Sequence, residues 1–401
     1  MIRITARSRR TSAVLAMAAL ALVATACSSS KKTAAPASSA PAAAATTSAA
    51  AAPSAAASSA AAPASSAAAP ASSAAASAAP ASSAAAGVPA SIKKGLVVYF
   101  IPKDTQNPYE VIADKGGEAA LTELGGKVVV SSGTSDTAAA QIPSIQAAIQ
   151  AKADAIVIAG NDPSALCPSL AQAVSAGIKV VSFDSDVTCP DHLFINQANT
   201  EQIGTSEVDL LAQEINSTGQ VAILSAAATA TNQNAWIGYM KQELTKYPNM
   251  KLVSTVYGND DPATSLSVLQ GLLSAYPNLR GIISPTTVGI STAAQYLDTH
   301  KSLLSHLTLT GLGLPSQMKT YVLDGTVKGF ELWNPSNLGY LAGYAAAQAA
   351  SGTDITTAGA TFTAGKLGSY TVLPAASGTG PSVVLGPPTV FNAANVAQFN
   401  F

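Results

Sequence analysis

The chain has 401 residues, 48% of them hydrophobic and 11% charged, and its 21 basic and 22 acidic side chains leave a formal net charge of −1. That near-neutral balance, with no basic stripe, argues against nucleic acid as a partner, and no heptad seam points to a coiled coil. The three histidines, His192, His300 and His306, stand at no ligand spacing to the cysteines, so neither a metal nor a bound cofactor is expected.

Residues 1–27 read as an export address. Arg3, Arg7, Arg9 and Arg10 form a charged n-region, and the apolar run 13–26 forms the h-region of a signal peptide. Ala24, Thr25 and Ala26 lead into Cys27, as in a bacterial lipoprotein signal, which makes Cys27 the expected lipidation site. The position before Thr25, usually Leu in such signals, is Ala24; the other reading is simple secretion, with an ordinary thiol near the cut. The run falls short of the ~20 apolar residues that a membrane span needs. Residues 28–91 are almost entirely Ala, Ser, Pro and Thr, with Pro-Ala-Ser-Ser units beginning at Pro63, Pro70 and Pro80. Nothing there can be buried to offset the entropy of ordering, so the stretch reads as a disordered tether. As a coil it would span about 45 Å, and as polyproline II about 200 Å.

From residue 96 onward the pattern changes to alternating strands and helices. Residues 96–100, 128–130, 155–158 and 178–183 are near-continuous apolar runs, as expected of parallel strands with both faces covered. Between them lie amphipathic patterns such as Ile142, Ile145 and Ile149. A second series follows at 221–224, 252–257, 281–283 and 307–312, its first helix announced by Asn199 with Gln202 three residues on. Two βα series imply an α/β protein of two doubly wound, Rossmann-like lobes joined by a hinge. The expected boundaries are 92–198 plus about 333–401 for the first lobe and 199–332 for the second. Cys167 and Cys189 are a disulfide candidate in an exported protein, closing a loop of about 22 residues; the other reading is two buried free thiols.

In such sheets ligands bind beyond the carboxyl ends of the strands, so the polar residues just after each strand are the site candidates. They are Lys103, Asp104 and Asn107, then Asn161 and Asp162, then Asp184 and Asp186. The second lobe offers Asn232, Gln233, Asn234, Thr286 and Thr287, and the crossing back offers Trp333 and Asn334. Amides and carboxylates satisfy paired hydroxyls, and an aromatic face covers the C–H side of a sugar, so a neutral polyhydroxylated ligand suits this set. Each has a plainer reading: Asp184 as a helix cap, Asn161-Asp162-Pro163 as a turn, Lys103 as a solvated charge, Trp236 as packing, Asn232-Gln233-Asn234 as an N-cap cluster. No Gly-x-Ser-x-Gly elbow or Gly-x-Gly-x-x-Gly loop is present. An enzyme is therefore not expected; a secreted glycoside hydrolase would have only Asp184, Asp186 and the acids near Asp260 as carboxylate candidates.

Several segments together resemble the sugar receptors of ABC importers in the ribose-binding, type I periplasmic binding protein superfamily. They are Phe100-Ile101-Pro102-Lys103, Asn161-Asp162-Pro163 through Cys167-Pro168, Phe183-Asp184-Ser185-Asp186 and Thr231-Asn232-Gln233-Asn234-Ala235-Trp236. Pro285-Thr286-Thr287-Val288-Gly289, Gly311-Leu312-Gly313-Leu314-Pro315, Leu332-Trp333-Asn334-Pro335 and the ending Gln398-Phe399-Asn400-Phe401 complete the set. The likeness runs from about Leu96 to the C-terminus and is strongest to rhamnose-binding and autoinducer-2-binding receptors. Autoinducer-2 receptors hold their ligand with a Lys, an Asp, an Asp-Gln pair, a Pro and an Ala. By resemblance these fall on Lys103, Asp184, Asn232, Gln233, Pro285 and Thr287, with Asn232 in place of Asp and Thr287 in place of Ala. The Asn-Gln-Asn, Pro-Thr-Thr-Val-Gly and Trp-Asn-Pro segments are more similar to the rhamnose type, whereas the cysteine pair is similar to the autoinducer-2 branch. Together with the export address ending at Cys27, the resemblance implies a lipid-anchored, monomeric extracytoplasmic receptor for rhamnose or a similar deoxysugar or polyol, with an autoinducer-2 receptor for uptake or quorum sensing as the alternative. Hinge closure over the ligand and docking on a membrane permease and its ATPase follow from the same likeness.

Overall fold

Side-chain alternation along short apolar strands sets the architecture. The computed structural model describes residues 92–375 and 380–401; the export address, Cys27 and the tether lie outside the described residues. The first series runs β1 (Val97–Ile101), α1 (Pro108–Glu123), β2 (Lys127–Val130), α2 (Ala138–Gln150), β3 (Ala155–Ile158), α3 (Cys167–Ser175), β4 (Lys179–Phe183) and β5 (His192–Asn196). The second runs α4 (Thr200–Glu214), β6 (Gly219–Ser225), α5 (Thr231–Glu243), β7 (Met250–Tyr257), α6 (Pro262–Ala275), β8 (Leu279–Ser284), α7 (Thr287–Thr299), β9 (Thr308–Gly311) and α8 (Pro315–Leu323). The chain ends with β10 (Gly329–Leu332), α9 (Pro335–Ala350), β11 (Thr361–Thr363), β12 (Ser369–Thr371), β13 (Ser382–Val384) and β14 (Thr389–Asn392).

Six strands form one parallel sheet in the order β2–β1–β3–β4–β5–β13, and four form another in the order β7–β6–β8–β9. In the first sheet Val98, Phe100, Ala155, Val157, Val181 and Phe183 join the core that contains Leu338, Leu341 and Ala345 of α9. Their neighbours Ile101, Ile156, Ile158 and Val180 join a separate core with Ile145, Ala148 and Leu170 of α2 and α3. A period of two with both faces covered is what makes these strands read as unbroken apolar runs. In each sheet the strand order reverses beside the first strand of its series, between β1 and β3 and between β6 and β8. Crevices open at such switch points, beyond the carboxyl ends of the strands.

The tail departs from the expectation that 333–401 belongs wholly to the first lobe. Helix α9 and β13 pack on the first sheet, but β14 pairs antiparallel with β10. The reason is aromatic: Phe391 of β14 stacks on Phe330 of β10 at 5.1 Å, and Phe399 and Phe401 close on Phe391 edge-on. The Ser316 N–H of α8 then donates to the Phe401 carbonyl at 2.9 Å. The chain thus passes between the two halves three times, near residues 197–199, 333–334 and 385–388. Cys167, opening α3, is disulfide-bonded to Cys189 in the β4–β5 connection. No helix among the described residues is long and apolar enough to cross a membrane.

Helices α1 and α9 meet almost backbone to backbone. A Cβ at Gly339 would lie 1.7 Å from the Ala113 carbonyl oxygen of α1, so only glycine permits the approach. Gly271, inside α6, has nothing within 4 Å of the same position. Overpacking costs about 1–3 kcal/mol, while replacing an exposed helical glycine by alanine gains up to about 1 kcal/mol. Urea unfolding should therefore show Gly339→Ala destabilised and Gly271→Ala stabilised; equal midpoints for the two variants would contradict this packing.

Candidate ligand-binding site

The site grows from one carboxylate. Asp184 follows β4 with φ of +57°, a left-handed conformation that aspartate tolerates better than most residues. It is only 3% exposed. Lys103, just past β1 and also buried, donates from Nζ to Asp184 Oδ2 at 2.5 Å. Tyr109 in the first turn of α1 donates its hydroxyl to Asp184 Oδ1 at 2.9 Å and accepts from Trp333 Nε1 at 2.7 Å. Asn232, from the opposite half of the molecule, donates from Nδ2 to Asp184 Oδ2 at 3.2 Å. Every oxygen of the carboxylate is thus engaged, which is the condition for keeping it charged away from water.

Around this hub lies a small cavity lined by residues of both halves of the molecule. One wall is aromatic: Trp333 stands edge-on to Tyr109 with centroids 6.2 Å apart and 5.9 Å from Trp236. The other walls are polar, from Lys103, Asn107, Glu110 and Asp184 on one side and Asn232, Gln233, Asp260, Thr286 and Thr287 on the other, with Pro285 beside them. Gln233 is fixed by its Oε1, which accepts from Ser225 Oγ at 2.6 Å and Ala226 N–H at 2.8 Å. That leaves its N–H donors to the cavity. Further bonds tie the halves together at the rim: Thr229 Oγ1 donates to the Asn161 carbonyl at 3.0 Å, and Thr231 Oγ1 to the Asp186 carbonyl at 3.2 Å.

The charges balance within the cavity. Burial alone would lower the basicity of Lys103, but Asp184, Glu110 and Asp260 outweigh it and hold the ammonium above its ordinary range. Burial raises Glu110 well above the usual carboxylate range, with Asp184 adding to the shift and Lys103 opposing it. Asp260 is raised by burial as well, against the opposing pull of Lys103, and its carboxylate accepts from Thr286 Oγ1. At the cleft rim, burial and the neighbouring Asp260 push Asp136 up to about 8. One ammonium paired with one carboxylate, among acids whose ionisation burial disfavours, makes an environment suited to a neutral ligand.

Of the residues named from sequence, Lys103, Asn107, Asp184, Asn232, Gln233, Pro285, Thr287 and Trp333 come together in the cavity lining. Asn234 and Asn334 do not join it. Helix α5 starts at Thr231, and successive helical residues point about 100° apart, so Asn232, Gln233 and Asn234 cannot all face one cleft. Asn234 turns out and donates to the Ala228 carbonyl at 2.8 Å. Asn334 caps α9, accepting from the Asn337 N–H at 3.2 Å. Asp104 organises the turn after β1 by accepting from the Gln106 and Asn107 N–H groups, and Asp162 caps the approach to α3. Asp186 is enclosed by Ser182, the Val187 N–H and His192. Asn161 steadies the Lys103 backbone by donating to its carbonyl at 2.8 Å. Sequence reading missed Tyr109, Glu110, Leu312 and Leu332, and took Trp236 for packing alone. The signal for the first two was Asn107-Pro108, a cap and first-turn proline that start a helix at the carboxyl end of β1.

Removing one member of a buried ion pair leaves the other uncompensated, a loss of about 3–5 kcal/mol, whereas removing both is far milder. Asp184→Ala should therefore lower unfolding stability sharply, and Lys103→Met in the same chain should recover most of it. A double-mutant cycle by chemical denaturation checks this; additive losses would contradict the pairing.

Residues 98–354 match the family model of the periplasmic binding protein domain. An ABC transporter solute-binding protein of Clostridium phytofermentas, solved with bound L-rhamnose, is 38% identical with a TM-score of 0.74, covering 77% of this chain and 98% of that one. A sugar ABC transporter structure from Actinomyces odontolyticus is 43% identical with a TM-score of 0.61, over 76% of this chain and 98% of that one. LsrB of Clostridium saccharobutylicum, in complex with AI-2, is 27% identical with a TM-score of 0.72, over 76% of this chain and all of that one. The chain spans 61% of the length of two curated sugar-binding relatives that it matches at 25 and 26% identity. With two Rossmann-like sheets facing each other across a polar cleft and a family match over most of its length, the chain belongs to the periplasmic binding protein domain family.

Proposed function

We propose that this chain is the extracytoplasmic solute receptor of an ABC importer and that its ligand is rhamnose or a similar deoxysugar or polyol. The observation that carries the reading is the lining of the cavity: Trp333, Trp236 and Tyr109 on one side, and amides, hydroxyls and a paired lysine and aspartate on the other. An aromatic face takes the C–H side of a sugar ring while fixed donors and acceptors pair its hydroxyls. A site built this way rejects a ligand that leaves its buried polar groups unpaired. Closure of two halves about three chain crossings then needs no covalent chemistry. The L-rhamnose-bound relative at 38% identity supports the choice of sugar.

Autoinducer-2 is the second reading, supported by the AI-2-bound relative at 27% identity and by the disulfide. Asn232 weighs against it. Its amide N–H reaches Asp184, where the aspartate of the autoinducer-2 pattern would set two carboxylates face to face. Thr287 further adds a hydroxyl and bulk to the cavity wall.

Within this reading Cys27 supplies a lipid anchor, residues 28–91 the reach to a permease and its ATPase, and the receptor works as a monomer. Titration calorimetry of the purified protein with L-rhamnose, related deoxysugars, polyols and autoinducer-2 should show one-to-one binding, tightest for a deoxysugar. Binding of none of them would overturn the reading, and tightest binding of autoinducer-2 would favour the second. Cys27→Ser should shift the protein from the membrane fraction to the medium or soluble fraction; unchanged fractionation would refute the anchor.

A further inference from the structure

The residues already assigned leave one buried side chain in the cavity without a task. Glu110 is the third residue of α1, next to Tyr109, and lines the cavity at 1% exposure. Its Oε2 meets no hydrogen-bond partner among the described residues. The polar groups facing it bond to Asp184 rather than to Glu110. Lys103 Nζ donates to Asp184, and the Tyr109 hydroxyl donates to Asp184 while accepting from Trp333. The remaining neighbours that act on it, Asp114 on the same helix and Asp136 on the β2–α2 connection, are carboxyls like itself. Asp114 also carries an unpartnered oxygen and is pushed by burial to about 8. A buried carboxyl oxygen with no protein partner bears a desolvation penalty that an incoming hydrogen-bonding group can offset.

We propose that Glu110 is a specificity-determining ligand contact whose carboxyl group hydrogen-bonds one hydroxyl of the bound sugar. The inference rests on the sugar-receptor reading and extends it to a residue outside the set implied by resemblance. Burial and the Asp184 charge favour the protonated form of this carboxyl, and that form both donates and accepts, unlike the carboxylate of Asp184. The lysine-paired carboxylate of Asp184 and a carboxyl whose ionisation burial disfavours present two different readings of a hydroxyl in one cavity. A methylene at that position leaves it unpaired.

The sign of the pH dependence follows. Binding should be full below the raised pKa of Glu110 and weaken as pH rises through it, because ionisation removes the donor and adds a second negative charge beside Asp184. Calorimetry with L-rhamnose and its monodeoxy analogues, from pH 6 to 9, on wild type, E110Q and E110A tests this. E110A should lose about tenfold in affinity, and E110Q, which keeps a donor and an acceptor without titrating, should recover most of that loss. Asp114 and Asp136 remain ionisable in all three proteins, so a slope present in wild type and absent in E110Q assigns the dependence to Glu110 rather than to them alone. The E110A loss should also vanish for one monodeoxy analogue, the one lacking the contacted hydroxyl. Wild-type affinity in E110A, with melting temperature and rhamnose binding otherwise intact, would overturn the proposal while leaving the receptor reading standing. Failure of the wild type to bind any sugar would overturn both.

Discussion

The buried carboxylate of Asp184 is the constraint around which the rest is arranged. A negative charge in a closed cavity must be paired and fully hydrogen-bonded or it will not stay charged. Lys103 and Tyr109 meet that demand from the same half of the molecule, and Asn232 completes it from the other. Bringing the halves together and satisfying Asp184 are therefore the same event. Trp333 extends the set: placed where the chain crosses between the halves, it donates to the Tyr109 hydroxyl that supports Asp184. The hinge region and the ligand site thus share a hydrogen-bonded line from indole to phenol to carboxylate.

The same arrangement explains why amides, rather than charges, come from the second half. A carboxylate at position 232 would oppose Asp184, and a cation there would compete with Lys103 for it. Asn232 does neither, and its Oδ1 accepts the Gln233 N–H at 2.8 Å, which fixes the amide's orientation. Gln233 is in turn locked by Ser225 and Ala226. Donors whose own rotamers are held by neighbours lose little entropy when a ligand arrives, and preorganisation of this kind is where polar sites gain affinity.

Much of this was legible in the sequence, for identifiable reasons. Strands buried on both faces announce themselves as apolar runs, and the polar residues just beyond them, Lys103, Asp184, Gln233 and Thr287, follow from the rule that α/β ligands sit at strand ends. Other parts were not readable. Asn234 and Asn334 have the right chemistry at the right junctions, but helix phase turns one outward and capping consumes the other. Glu110 and Trp236 lie on helices, where an amphipathic pattern gives a buried face without saying whether a core or a cavity lies beneath it. The return of β14 to β10 depends on a stack of phenylalanines drawn from positions 330, 391, 399 and 401, a contact between distant segments that no local pattern encodes.

Among the described residues, few polar contacts hold the two halves closed, and that bears on how the candidate site would work. Thr229, Thr231 and Asn232 reach across from the β6–α5 segment, each through one hydrogen bond. A neutral hydrogen bond adds about 0.5–1.5 kcal/mol net, and more to a charged acceptor, so these contacts sum to a few kcal/mol. That is a scale at which an open and a closed arrangement can both be populated. A ligand bonded to Lys103 and Asn107 on one side and to Gln233 and Thr287 on the other engages all four only when the halves are together. Its binding energy is then differential between the two arrangements, which is the requirement for a ligand to drive closure rather than merely occupy a cleft. A tighter preformed latch would close the cavity without cargo. Single hydrogen bonds of this kind are weak enough to leave that decision to the ligand.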